Sequence, residues 1–128
     1  EVGREHAGLG ADFLLNLTNN GWFGEGSAQW QHAAAAVFRA IENGLPLLRC
    51  SNNGVTCAID SNGAILETLF DRAGRIYGEG FLIAKIPLNA NRAPTLFARY
   101  GDWFGWTCVG WTILNAYRLR KLSSPPKS

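Results

Sequence analysis

The spacing of apolar positions changes period twice in the first half of the chain. A short apolar run over 10–17, centred on Phe13, Leu14, Leu15 and Leu17 and bounded by turn residues, predicts a buried strand in a mostly parallel sheet. Helical spacing follows over 28–43, where Ala34, Val37, Phe38 and Ile41 fall at i, i+3, i+4 and i+7 and form one apolar stripe. Ser27 can cap the amino end of this helix, Gly44 suits the position just past its last turn, and Pro46 prevents continuation. His32, Arg39 and Asn43 fall roughly opposite the stripe, on a face that reads as solvated or turned toward another subunit. Strand-like runs return over 47–51 and 55–60, and Asn62-Gly63 turns the chain into another at 64–69. A further strand is predicted within 75–86, stopped by Pro87. This order predicts an α/β layered domain with a mixed sheet.

The stretch between the first strand and the helix reads LTNNGWFGEG. Asn-Gly is ordinarily a hairpin signal, but this one links a strand to a helix. It therefore predicts a loop at the carboxyl edge of the sheet, where open α/β sheets bind ligands. Gly21, Gly24 and Gly26 allow tight or left-handed backbone. Trp22 and Phe23 either wall a crevice there or plug the edge of the sheet, and the residues alone leave both readings open.

The last third has a different character. Residues 103–117 run for fifteen positions without a charge and include Trp103, Trp106, Trp111 and Tyr117; Arg118, Arg120 and Lys121 follow. Fifteen is short of the ~20 residues that span a hydrocarbon core, so a buried helix competes with a membrane helix. The aromatic ends and the basic cluster favour the membrane helix, with the basic end in the cytoplasm. The Ser-Pro-rich end, residues 123–128, reads as a disordered tail.

With 128 residues the chain is the size of one domain, and 47% hydrophobic against 17% charged residues excludes a disordered polymer. A net charge of +2 gives no pull toward nucleic acid. The chain contains no Met and opens on Glu1, which reads as a piece of something longer. Cys50, Cys57 and Cys108 lack metal-ligand spacing and read as buried free thiols. The sequence has no Gly-x-Ser-x-Gly elbow, phosphate-binding loop or HExxH motif, and neither His6 nor His32 has a nucleophile beside it. No metal and no cofactor are expected. A complete catalytic set cannot be assembled from these residues.

Three stretches together resemble a known family: GADFLLNLTNNGWFG, WQHAAAAVFRAIENGLPLLRCSNNGVTCAIDSNGAI, and APTLFARYGDW ahead of an apolar segment with a basic end. The chain is similar, from Glu1 to about Leu122, to the C-terminal part of the bacterial apolipoprotein N-acyltransferase family, whose members carry a nitrilase-like (carbon-nitrogen hydrolase) domain. The resemblance implies a partial αββα sandwich over 1–100, then a transmembrane helix over 101–122 in the bacterial inner membrane, with the catalytic domain periplasmic. It implies a Cys-Glu-Lys triad in which the Cys takes an acyl chain from a phospholipid as a thioester. The chain then passes to the N-terminal diacylglyceryl-cysteine of an apolipoprotein. The nucleophile lies in a Cys-Tyr-Glu motif whose Glu matches Glu1, so all three catalytic residues would precede this chain, leaving it inactive alone. By the same resemblance Glu1 lies on the active-site rim, while Asn19, Trp22 and Phe23 line the acyl-substrate pocket. Arg39, Glu42 and Asn43 match the helix motif, in a structural role, Arg49, Asn52 and Asn53 match the strand and turn that close the domain, and Asn20 stands where the family commonly has Asp. Two alternatives are a soluble nitrilase-type amidase and a non-catalytic, degenerate module.

Overall fold

The computed structural model describes residues 2–89 and 91–123, with the side chains of the last two excepted. Four strands form one mixed sheet in the order β1-β2-β3-β4: β1 (Leu14–Thr18), β2 (Leu47–Ser51), β3 (Cys57–Ile59) and β4 (Ile65–Thr68). β1 pairs in parallel with β2, Leu14 opposite Leu47, because the 17-residue helix α2 (Ser27–Asn43) returns the chain between them. β2–β3 and β3–β4 are antiparallel, joined by short turns. Asp60 stabilises the Asn62-Gly63 turn by accepting from the amides of Asn62 and Ala64, at 2.9 and 2.8 Å. Three further helices are α1 (Val2–Gly8), α3 (Leu96–Tyr100) and α4 (Trp103–Ser123).

α2 covers one face of the sheet. Its inward row is Gln29, Ala33, Ala36, Ala40 and Asn43, all buried, and the alanines meet Leu47, Val55, Cys57 and Ile59 in the core. Burying Val55 and Ile59 completely contributes about 1.5–3 kcal/mol each. This corrects the predicted stripe: Ala34, Phe38 and Ile41 are exposed, and only Val37 packs partly against the core. It also moves Asn43 from the expected polar face to the buried one, while His32 and Arg39 remain exposed. Close helix-on-sheet packing selects small side chains, so the larger residues are displaced to the flank. There Val37 and Ile41 lie over Gly63, where a Cβ would come within 2.6 Å of Ile41 Cδ1. Gly44 ends α2 in the left-handed conformation (φ 62°), its amide returning to Ala40 and Ile41, as predicted. Ser27 is the first helical residue instead of the cap, which is Gly26.

The other sheet face is open. Leu15 and Leu17 are 60% and 70% exposed, because β1 is an edge strand and no layer among the described residues crosses that face, so it is not the doubly buried strand predicted. Cys50 and Cys108 are exposed and only Cys57 is buried, which corrects the expectation of three buried thiols. Residues 75–86 form no strand. Gly78 and Gly80 supply no side chains for a pleat, and the segment runs alongside the sheet with Ile76 packed on the core.

The C-terminal expectation is also corrected. A helix does form over Trp103–Ser123, but among the described residues no helix is long and apolar enough to cross a membrane. Fifteen uncharged residues make roughly 22 Å of helix against ~30 Å of hydrocarbon core, and Thr107, Thr112 and Asn115 dilute the stretch. The crossing, and the sidedness built on it, therefore find no support in α4. Residues 124–128 of the expected tail lie outside the described residues.

Candidate functional site

The loop over 19–26 leaves β1 at its carboxyl end and enters α2, and side chains hold it in place from both sides. The Asn20 amide donates to Asn52 Oδ1 (3.0 Å), and Asn52 Nδ2 donates to Asn19 Oδ1 (2.8 Å), which also accepts from the Gly21 amide (3.2 Å). Asn52 follows β2 directly, so the ends of two parallel strands are tied together where ligands meet such sheets. Beneath the loop, buried Gln29 donates through Nε2 to the carbonyls of Asn20 (3.1 Å) and Gly24 (3.0 Å). The backbone closes a 3-10 turn over Gly21–Phe23, with the Phe23 amide on the Asn20 carbonyl, and is no hairpin.

A loop latched in this way has its aromatics aimed outward. Trp22 is 85% exposed, and the Phe23 ring rests on His32 of α2 with centroids 4.6 Å apart. Neither side chain is buried against the sheet edge. Below the loop a shallow cavity of about 440 Å³ is lined by Leu17, Thr18, Asn19, Cys50, Ser51 and Asn52. A larger cavity of about 770 Å³ shares Cys50, Ser51 and Asn52 with it and continues along the open sheet face past Leu15, Leu48 and Ala58. Phe81 and Ile83 line it from the segment that runs beside the sheet. The two together form a mostly apolar trough of ligand-binding size, with asparagines at one end.

On the opposite sheet face Arg49 is buried, donating through Nε to the Val55 carbonyl (3.2 Å) and through Nη1 to Asn16 Oδ1. Burial lowers its pKa below the ordinary guanidinium value, with Cys57 opposing that shift; burial likewise pushes the Cys57 thiol up, against the pull of Arg49. Both residues also contribute to the lining of the larger cavity, where they form part of its floor. Among the described residues no group of three His, Cys, Asp or Glu is placed to hold a metal ion.

The structure thus brings Asn19, Trp22 and Phe23 together in one loop. Glu1 lies outside the described residues. The start of α1 sits elsewhere: Gly3 lies against Asn43, at the end of α2 remote from the loop. Gln29 escaped sequence reasoning. Its one signal was a polar residue at the head of the small-residue row Ala33, Ala36, Ala40.

Comparison with known proteins adds an independent line. The carbon-nitrogen hydrolase family profile matches residues 1–93. The chain is 38% identical over 126 residues to an apolipoprotein N-acyltransferase of Geobacter metallireducens, covering 96% of this chain and 22% of that protein. It is 46% identical over 90 residues to one of Rhodopseudomonas palustris, covering 70% and 16%. For one of Treponema denticola the figures are 39% over 106 residues, covering 83% and 19%. The chain spans about a fifth of the length of these curated relatives.

Proposed function

The chain belongs to the carbon-nitrogen hydrolase family, and on that premise we propose that it forms the acyl-pocket wall of a lipoprotein N-acyltransferase. The observation that carries this reading is an exposed Trp22 on a loop latched by Asn19, Asn52 and Gln29, at the mouth of an apolar trough. An apolar chain laid in the trough would remove Leu15, Leu17 and Trp22 from water, which favours binding at roughly 25 cal/mol per Å² of apolar surface covered. Kinship to proteins named apolipoprotein N-acyltransferase supports a phospholipid as acyl donor and an apolipoprotein as acceptor.

In this reading the chemistry is done by a Cys, a Glu and a Lys that precede the chain, with the Cys two positions before Glu1. The Cys thiol gives its proton to the Glu as its sulfur attacks the ester carbonyl, and the lysophospholipid alkoxide leaves taking that proton from the Glu. The acceptor amine then attacks the thioester, giving up its proton through the same Glu and releasing the thiol. The residues of this chain play separate parts: Trp22 and Phe23 form the apolar rim and Asn19 fixes the loop beneath them, while Glu1 flanks the nucleophile ahead of α1, whose start packs at the opposite end of α2. The chain by itself is expected to be inactive.

α4 fits an apolar setting at the bacterial inner membrane. It exposes Trp106 and Trp111 at 75% and 67%, a surface costly to leave in water. Its polar side chains bond back to their own helix, Thr112 to the Cys108 carbonyl and Asn115 to the Trp111 carbonyl, both at 2.8 Å. We assign it to lipid or to other apolar helices of the intact protein.

The test is Trp22→Ala in the intact protein. Acyl transfer from phospholipid should fall about tenfold to a hundredfold, with stability within about 0.5 kcal/mol of wild type; unchanged turnover returns the loop to a structural role. A second reading, a nitrilase-type amidase, rests on the carbon-nitrogen hydrolase kinship alone. Recovery of the intact protein in the aqueous phase without detergent, with hydrolysis of a simple amide, would establish the amidase instead.

A further inference from the structure

One side chain ties together the carboxyl ends of two helices that are distant in sequence. Arg92 donates through Nη1 to the carbonyl of Asn43 (3.3 Å), the last residue of α2, and through Nη2 to the carbonyls of Ala7 (3.2 Å) and Ala11 (3.0 Å). Ala7 lies in the last turn of α1. Carbonyls at a helix carboxyl end lack intrahelical partners and carry the negative end of the helix dipole, so a cation donating to both ends satisfies them together. The residues after Arg92 extend the attachment. Thr95 Oγ1 donates to the Glu42 carbonyl and accepts from the Ala98 amide (3.0 Å), which caps α3. At the junction of α3 and α4, Gly101 (φ 60°) lies under the α1 side chain Arg4, where a Cβ would come within 3.3 Å of Nη1. The strap over 92–101 therefore touches α1 at both its first and last turns, with α2 as the fixed base.

We propose that Arg92 is a positioning residue for acyl transfer, holding α1 in the orientation that sets the nucleophile preceding it. This rests on the reading that the nucleophile lies two residues ahead of Glu1. α1 has only seven residues, too few to be stable by itself, and it makes its helix packing against α2 and α3. Its tilt is therefore set by contacts made from outside, and the Arg92 fork bridges α1 to α2 through charge. A guanidinium has the fork of donors that three divergent carbonyls need, whereas an ammonium reaches them only as a point charge.

The test uses the intact protein with Arg92→Ala and Arg92→Lys, read by amide hydrogen exchange and by mass detection of the acyl-enzyme on phospholipid vesicles. In Arg92→Ala, exchange over residues 7–11 should rise at least about tenfold while β1 and β2 keep their protection. The rate constant of acylation should fall about tenfold to a hundredfold with KM for lipid little changed. Arg92→Lys should lie between, and free guanidinium should restore part of the rate to Arg92→Ala while leaving wild type unaffected. Wild-type exchange in α1, or faster exchange with undiminished acylation, overturns the proposal. If Arg92→Ala also loses sheet protection, Arg92→Lys decides by the same two readouts. A wild-type protein that forms no acyl-enzyme would instead refute the underlying reading, and guanidinium-sensitive exchange in α1 would still judge the clamp.

Discussion

The two faces of the β1–β2 ribbon are built from alternate residues of the same ten positions, yet they belong to different chemical worlds. On the covered face, Leu14, Asn16, Leu47 and Arg49 lie beneath α2, and even a guanidinium is buried there because the Val55 carbonyl and Asn16 Oδ1 accept hydrogen bonds from it. On the open face, Leu15, Leu17 and Cys50 are exposed and line the trough. Two cysteines make the contrast sharpest: Cys57 is buried with its thiol pushed up by desolvation, while Cys50 faces solvent. The difference teaches that one face supplies stability while the other stays uncovered among the described residues, within a single pair of strands.

Four perturbations would break or sharpen that contrast. The largest effect belongs to Arg49→Met, which leaves the Val55 carbonyl and Asn16 Oδ1 without a donor in a buried site. It should destabilise by about 3 kcal/mol, read as a lower denaturant midpoint, and an unchanged midpoint would show the two faces to be energetically alike. Gln29→Ala should cost about 2 kcal/mol by removing the side-chain donor of the Gly24 carbonyl and leaving the Asn20 carbonyl with the Phe23 amide alone. It should also accelerate amide exchange across 19–26 before it affects the sheet; equal loss in both would remove the latch from the account.

A smaller, pH-dependent effect attaches to Cys57. Its folded pKa is raised, first by burial and against the opposing pull of Arg49, so its contribution is full below the unfolded thiol pKa and lost as pH rises through the folded one. Wild type should therefore lose stability on going from neutral pH into the alkaline range, and Cys57→Ala should show less of that loss. Parallel curves would mean that the thiol senses no burial. The smallest effect is expected on the open face, where Leu17→Ser should change stability by less than about 0.5 kcal/mol. It should reduce association between molecules, measured by light scattering, and a loss comparable to that of Arg49→Met would show the open face to be part of the core.

Much of the fold was legible along the chain. The span of α2, its end at Gly44, β2 and the Asn62-Gly63 turn follow from local rules, because Gly, Pro and Asn act on the backbone where they stand. The side of α2 that faces the sheet was not legible. Hydrophobic periodicity weighs Phe38 and Ile41 above alanine, whereas close packing on a sheet needs Ala33, Ala36 and Ala40. Within the candidate site, the loop and its aromatics could be located from Asn20-Gly21 between strand and helix. Their exposure could not, since it depends on Asn52 and Gln29, reaching in from 32 and 9 residues away.

By itself the sequence determined the elements, their order, the family resemblance and the residues of the loop, all of which depend on local backbone chemistry or on pattern. Only the tertiary structure decided which alternation of β1 and β2 is covered and that Trp22 faces outward. It also revealed that Arg92 joins the ends of α1 and α2. The physical reason is common to all three. A strand offers two faces and a helix several, and which one is buried depends on what the rest of the chain lays across it.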